Sequence, residues 1–223
     1  GAPFPDATQP AISADGGRVA FVVRDGALPA AVWVRDLDAA RTFLASRADG
    51  AAGAPGNGDS DSPALDADGS RVAFASRASN LGDGDPDAAA DVHVRDVAAG
   101  ATVLASRADG AAGAKGDGPS YGPDLNAEGN RASFVSQARN LADGDTDAIA
   151  DAHVRDLAAG TTRLASAAPD GTKSNGQTSR AAIDAAGTRV AFSAAATNLL
   201  GLTAPLHQAF VRDLRAGTLV LAS

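Results

Sequence analysis

One phrase is written four times along these 223 residues, at a spacing of roughly 60. Its best copy runs from Ser62 to Ala108, SPALDADGSRVAFASRASNLGDGDPDAAADVHVRDVAAGATVLASRA. A second copy places Gly129 on Gly69, Arg131 on Arg71, Phe134 on Phe74 and Asn140-Leu141 on Asn80-Leu81. It continues with Asp151 on Asp91, His153-Val154-Arg155-Asp156 on His93-Val94-Arg95-Asp96, and Leu164-Ala165-Ser166 on Leu104-Ala105-Ser106. Weaker copies flank this pair. Upstream, Asp15 to Phe21 leads to Val34-Arg35-Asp36 and Leu44-Ala45-Ser46; downstream, Ala186 to Phe192 leads to Val211-Arg212-Asp213 and Leu221-Ala222-Ser223. A period of this size demands a repeat architecture, because one such unit cannot bury its apolar faces alone and stacked units can.

Each unit carries four short β-like runs divided by turn signals. In the second unit they are Ala64-Leu65, Arg71 to Ser76, Val92 to Val97 and Thr102 to Ser106. Asp66-Ala67-Asp68-Gly69 reads as a tight turn, with Asp bonding nearby backbone and Gly supplying positive φ. Val72 and Phe74 alternate with Ala73 and Ala75, so both faces of the strand are apolar and both are expected to be buried, with Ala where a neighbouring sheet packs close. No capped helical periodicity is present. Four strands per unit predict an all-β fold, a β-propeller of four four-stranded blades in a single domain 1–223. Blade cores are expected at about 10–47, 62–107, 122–167 and 179–223. All four units share one phase, so closure by strand exchange between the termini is not indicated. A closed four-blade monomer is expected in preference to a larger ring completed by a second copy or by further sequence.

The residues Pro63-x-Leu65-Asp66-x-Asp68-Gly69-x-Arg71-Val72-Ala73-Phe74-x-Ser76, with Asn80-Leu81 and Asp91-Val92-x-Val94-Arg95-Asp96, resemble the TolB-type propeller repeats, a WD-repeat-like family of bacterial envelope and secreted proteins. The resemblance covers nearly the whole chain in four copies. It implies a scaffold propeller in a secreted or periplasmic protein. The family includes protein-binding and hydrolase-associated members. TolB itself has six blades and an extra N-terminal domain, so its own role does not transfer to four units.

Composition narrows the partners. The net charge of −8 argues against nucleic acid and anionic membrane, which both need basic patches. It is compatible with cation binding. No apolar run approaches 18 residues, so no transmembrane helix or membrane insertion is expected. With no Cys there are no disulfides and no thiolate metal sites. A chain opening Gly1-Ala2-Pro3 without Met is expected to have lost a leader or tag.

The sharpest chemical motif is Asp83-Gly84-Asp85-Pro86-Asp87-Ala88-Ala89-Ala90-Asp91, repeated as Asp143-Gly144-Asp145-Thr146-Asp147-Ala148-Ile149-Ala150-Asp151. Carboxylates at positions 1, 3, 5 and 9, with the carbonyl of Ala89 or Ile149 at position 7, offer a hard cation the oxygen set that calcium accepts. The pattern resembles the nine-residue calcium loops of integrin-type propellers, with Ala88 and Ala148 standing where a Gly usually permits the sharp turn. The alternatives are polar turn chemistry and simple duplication. Against both, four carboxylates in nine residues repel one another unless neutralised, and the first and fourth units do without them. The expected cofactor is therefore structural calcium.

Other candidates read as structure. The recurring Arg35-Asp36, Arg95-Asp96, Arg155-Asp156 and Arg212-Asp213 place an Asp to accept turn N–H groups or to pair with a neighbouring-strand Arg such as Arg71. His93 and His153 share a strand position with Trp33 and Phe210, a slot for a flat ring. Gly118-Pro119-Ser120-Tyr121-Gly122 matches G-x-S-x-G, but a nucleophile elbow needs a strand before it and a helix after it. No catalytic residues are assigned, since catalysis needs a base, an orienter and an oxyanion site together and the repeats display no such set. The sequence thus points to a binding or scaffold module for a protein or extracellular polymer. A hydrolase-associated propeller with a site in its central funnel is the alternative. A carbohydrate lectin is third, since aromatics are only 4% and Trp33 and Tyr121 lie in different units.

Overall fold

The computed structural model describes residues 6–26, 28–82, 85–142, 144–201 and 206–223. All regular structure in them is strand: four antiparallel four-stranded sheets, each a meander in chain order. The first blade holds β1 (Ala7–Ile12), β2 (Arg18–Val23), β3 (Ala31–Asp36) and β4 (Arg41–Leu44). The second holds β5 (Ser60–Leu65), β6 (Arg71–Ser76), β7 (Asp91–Asp96) and β8 (Ala101–Leu104). The third holds β9 (Ser120–Leu125), β10 (Arg131–Ser136), β11 (Asp151–Asp156) and β12 (Thr161–Leu164). The fourth holds β13 (Thr178–Ile183), β14 (Arg189–Ala194), β15 (Gln208–Asp213) and β16 (Leu219–Leu221). The fold is an all-β propeller of four blades.

The first strand of the second blade starts at Ser60, earlier than the apolar pattern suggested. Its pairing with β6 slips between Asp61 and Ala64, and Ser62 sits there at φ 52°. The first blade slips between Thr8 and Ala11, with Gln9 at φ 50°, and Gly122 of the third has φ 61°. Each of these residues precedes a proline (Pro10, Pro63, Pro123), which has no N–H to offer the ladder. Bulge and proline together blunt the innermost edge strand against further strand pairing.

The Arg-Asp pairs hold each blade's outer turn. Asp36, Asp96, Asp156 and Asp213 accept the N–H of Ala39, Ala99, Ala159 and Ala216, each at 2.8 Å. The same carboxylates pair with Arg18, Arg71, Arg131 and Arg189 at 3.1–3.6 Å. The flat-ring slot is real: His93 stacks on Phe74, His153 on Phe134 and Phe210 on Phe192. Ser120 of G-x-S-x-G is buried inside a strand and bonds Ser136 Oγ, so it is no elbow.

Blades join through one interface used three times. A bulky face (Val72, Phe74, Leu81) packs on a slimmer face of the preceding blade (Ala20, Val32, Val34). Ala132, Phe134 and Leu141 pack likewise on Ala73, Val92 and Val94. Val190, Phe192 and Leu199 pack on Val135, Ala152 and Val154. An arginine bonds across each junction: Arg18 Nη1 to Gly69 O at 2.8 Å, Arg71 to Gly129 at 2.9 Å and Arg131 to Gly187 at 2.7 Å. The expected closed ring is not reached among the described residues. No buried cluster spans the fourth and first blades, and no pair of their strands packs as the other neighbours do. Bulky-on-slim packing fixes the turn from blade to blade, and three such turns leave the arc open.

Candidate functional site

The two acidic loops do converge. Asp85, Asp87 and Asp91 bring carboxylate oxygens within 4.8 Å of one another, and so do Asp145, Asp147 and Asp151. Asp83 and Asp143, the expected first ligands, lie outside the described residues. Two local devices shape each loop. Asp87 Oδ1 accepts the N–H of Ala89, and Asp147 Oδ1 that of Ile149, both at 2.8 Å. Asp91 Oδ1 takes the hydroxyl of Ser106 at 2.7 Å, and Asp151 Oδ1 that of Ser166 at 2.6 Å.

Sequence reasoning missed the residue at the centre of each cluster. Lys115 Nζ lies 2.7 Å from Asp91 Oδ2, 3.2 Å from Asp87 and 3.8 Å from Asp85. Lys173 Nζ lies 2.7 Å from Asp151, 3.0 Å from Asp147 and 4.0 Å from Asp145. These are the only two lysines in the chain. Each arrives on the loop that leads to the next blade, pinned by a bridge to Arg107 or Ala167. The Asn of the Asn-Leu motif grips its carbonyl: Asn140 Nδ2 to Lys115 O at 2.8 Å, Asn198 Nδ2 to Lys173 O at 2.7 Å. In the first junction Asn80 grips Pro55 in the same way at 2.9 Å, and the first blade has no acidic loop. Lysine therefore stands at this slot only where acids await it, a signal that was present in the sequence.

Burial sets the electrostatics. The Asp85 side chain is fully enclosed, and its oxygens make no hydrogen bond. Its neighbours are His93 Nε2 at 3.6 Å and Lys115 Nζ. Burial, then the charge of Asp91, push its carboxyl up to about 6. Burial also raises Asp91 and Asp151, despite the lysine and serine beside each. The N–H of Ala89 holds Asp87 below its ordinary value. Burial works against the Lys115 and Lys173 ammoniums, but the adjacent carboxylates outweigh it and both are raised. Ser106 is no nucleophile here: it is buried, donates to Asp91 and accepts the N–H of Val92 at 3.1 Å.

A second feature lies on the axis. The innermost strands of all four blades line a cleft of about 630 Å³, with walls at Gln9–Ile12, Ser62–Leu65, Gly122–Asp124 and Arg180–Ala182. The three bulged prolines and the left-handed residues before them all face this cleft.

No family model matches the chain, and no curated protein does. Solved structures do. TolB from Acinetobacter baumannii is 15% identical, with a TM-score of 0.58 over 98% of this chain and 43% of that one. A putative TolB from Agrobacterium tumefaciens is 13% identical, with a TM-score of 0.60 over 96% of this chain and 64% of that one. The β-propeller domain of the Trilobed protease from Pyrococcus furiosus, described as having an open velcro topology, is 10% identical, with a TM-score of 0.55 over all of this chain and 58% of that one. The chain spans less than two thirds of each of these proteins, and the likeness is one of fold.

Proposed function

We propose that this TolB-like propeller is a binding and scaffold module of a secreted or periplasmic protein, and that its axial cleft takes the ligand. The observation that supports this is the cleft itself. Every blade contributes the same strand to it, and backbone in sparsely populated conformations gathers there, as it does at ligand sites. Prolines, Ile12 and Leu65 beside Asp124 and Arg180 suit an extended polypeptide segment better than a sugar or a base, which would need aromatic platforms. A photo-crosslinking residue at Ile12 should capture protein from an envelope extract, and one at exposed Val103 on β8 should not. Equal capture from both positions would remove the cleft from the proposal. Turnover of peptide or ester substrates by the purified chain would favour the hydrolase reading instead.

The acidic pockets carry the second part of the proposal. Calcium would be held by Asp85, Asp87, Asp91 and the Ala89 carbonyl, and by Asp145, Asp147, Asp151 and the Ile149 carbonyl, with Asp83 and Asp143 as further ligands and the lysine ammonium displaced outward. Three carboxylates at ligand spacing support it, as do the buried oxygens of Asp85 and Asp145 without hydrogen-bond partners. Sites of this kind bind at about 10⁻⁴–10⁻³ M. At ten times its dissociation constant calcium adds roughly 1.4 kcal/mol, which a melt in EDTA against ~5 mM CaCl₂ resolves. A rise in the parent supports calcium. A rise only in Lys115→Met and Lys173→Met would make lysine the permanent cation and end the calcium reading.

A further inference from the structure

We infer that the pocket beside the β11–β12 turn, at the junction of the third and fourth blades, binds a small oxyanion with two negative charges, phosphate or a dicarboxylate. The repeat builds this pocket twice. Between the second and third blades, Arg71, Val94 and Asp96 frame a pocket of about 300 Å³ together with Ala101, Val103 and Ala158. Between the third and fourth blades, Arg131, Val154 and Asp156 frame its counterpart, of about 410 Å³. The frame is unchanged, but the other three positions differ together: Ala101 is matched by Thr161, Val103 by Arg163 and Ala158 by Arg215. Three apolar walls in one junction are three hydrogen-bond donors in the next.

Two of those donors carry charge that the chain itself does not answer. Arg131 is already engaged, with Nε 3.1 Å from Asp156 and Nη1 donating to Gly187 O at 2.7 Å. Asp156 is engaged too, accepting the N–H of Ala158 and of Ala159. Neither Arg163 nor Arg215 forms an ion pair or a side-chain hydrogen bond among the described residues. The chain has 27 acidic residues against 19 basic ones, so a pocket with two unanswered arginines runs against its average charge. At the first junction the matching positions are Arg41, Phe43 and Ala98, and there the Arg41 guanidinium lies over the Phe43 ring, 5.6 Å from its centroid. That arginine has an internal use; Arg163 and Arg215 have none. Like charges in one pocket repel, and a bound dianion turns that repulsion into attraction. The planar fork of each guanidinium matches two oxygens of a phosphate or carboxylate, and the Thr161 hydroxyl adds a neutral donor. The volume suits a small ligand. No residue of this pocket belongs to the axial cleft or to the acidic triads, so the inference stands apart from both parts of the proposed function.

Calorimetric titration with inorganic phosphate and, separately, with succinate tests this, in EDTA and at an ionic strength held constant with NaCl. At least one of the two should bind the parent at one saturable site per chain and raise its melting temperature. Whichever binds identifies the source of the oxyanion. The double variant Arg163→Val/Arg215→Ala carries the residues of the second junction at two exposed positions, so it should keep the parent's circular dichroism spectrum. Its affinity should fall at least about tenfold, the worth of one charge-assisted hydrogen bond. A parent with neither saturable heat nor a raised melting temperature in either anion overturns the inference, as does a folded double variant that binds as tightly as the parent.

Discussion

Ala73 and Ala191 occupy the same position of the same strand in two blades, and one is fully buried while the other faces solvent. Leu125 and Ile12 make the same comparison at the bulky face. The difference lies in the stack and not in the blade. Repeat folds bury residues by neighbour, so a side chain's environment is set by how many copies flank it. The interior faces and the end faces are chemically one surface seen with and without its partner.

The largest expected effect comes from the same substitution on both sides of that comparison. Ala73→Arg places an uncompensated charge in a packed junction and should destabilise by about 3–5 kcal/mol, which chemical denaturation measures. Ala191→Arg, at an exposed position, should change stability by under about 0.5 kcal/mol. Equal losses would mean that the fourth blade's outer face is covered within one chain and that the arc is closed.

The next effect separates the junctions from one another. The second-to-third and third-to-fourth junctions carry a lysine from the connecting loop into a triad of acids; the first carries Pro55 instead. Lys115→Met leaves Asp85 and Asp91 buried beside each other without their cation and should cost about 3 kcal/mol. Pro55→Ala, at an exposed position in the matching loop, should cost under about 1 kcal/mol. A mild Lys115→Met variant would show that the pocket is hydrated or protonated without it.

The strands were legible because alternation, Asp-Gly turns and the four-fold phrase all agree. So were the Arg-Asp turn and the ring slot filled by His93, which depend on residues within one blade. The lysine pocket was not, because Lys115 lies some way past Asp91 and belongs to a loop that reads as a Gly-Ala linker. Its meaning appears only when Pro55, Lys115 and Lys173 are set against the presence of acids in the preceding blade. Ring closure was not legible either. The angle between blades comes from how Phe74 and Phe134 seat on alanines, a distance that no pattern of apolar letters encodes.

The smallest effect is the pH dependence of the interior pocket. The Asp85 carboxyl is raised to about 6 by burial and by Asp91, against an ordinary 3.8 when unfolded. The folded chain therefore binds this proton more tightly, and the contribution is a stability present at low pH and lost as pH rises through about 6. Acidifying from pH 7 to 5 should raise the melting temperature, by an amount bounded by about 1.4 kcal/mol per pH unit for one proton. Asp91 and Asp151, also raised by burial, act in the same direction. Below about pH 4 the trend reverses, because Asp36 and Asp213, held low by their turn N–H groups, begin to lose those bonds. Asp85→Asn cannot titrate, so its melting temperature should rise less than the parent's between pH 7 and 5. Exposed carboxylates at the ends of the arc offer no such gain. If Asp85→Asn kept the parent's full slope, the proton would have to be bound elsewhere, and the pocket would lose its claim to be the electrostatic difference between interior and end blades.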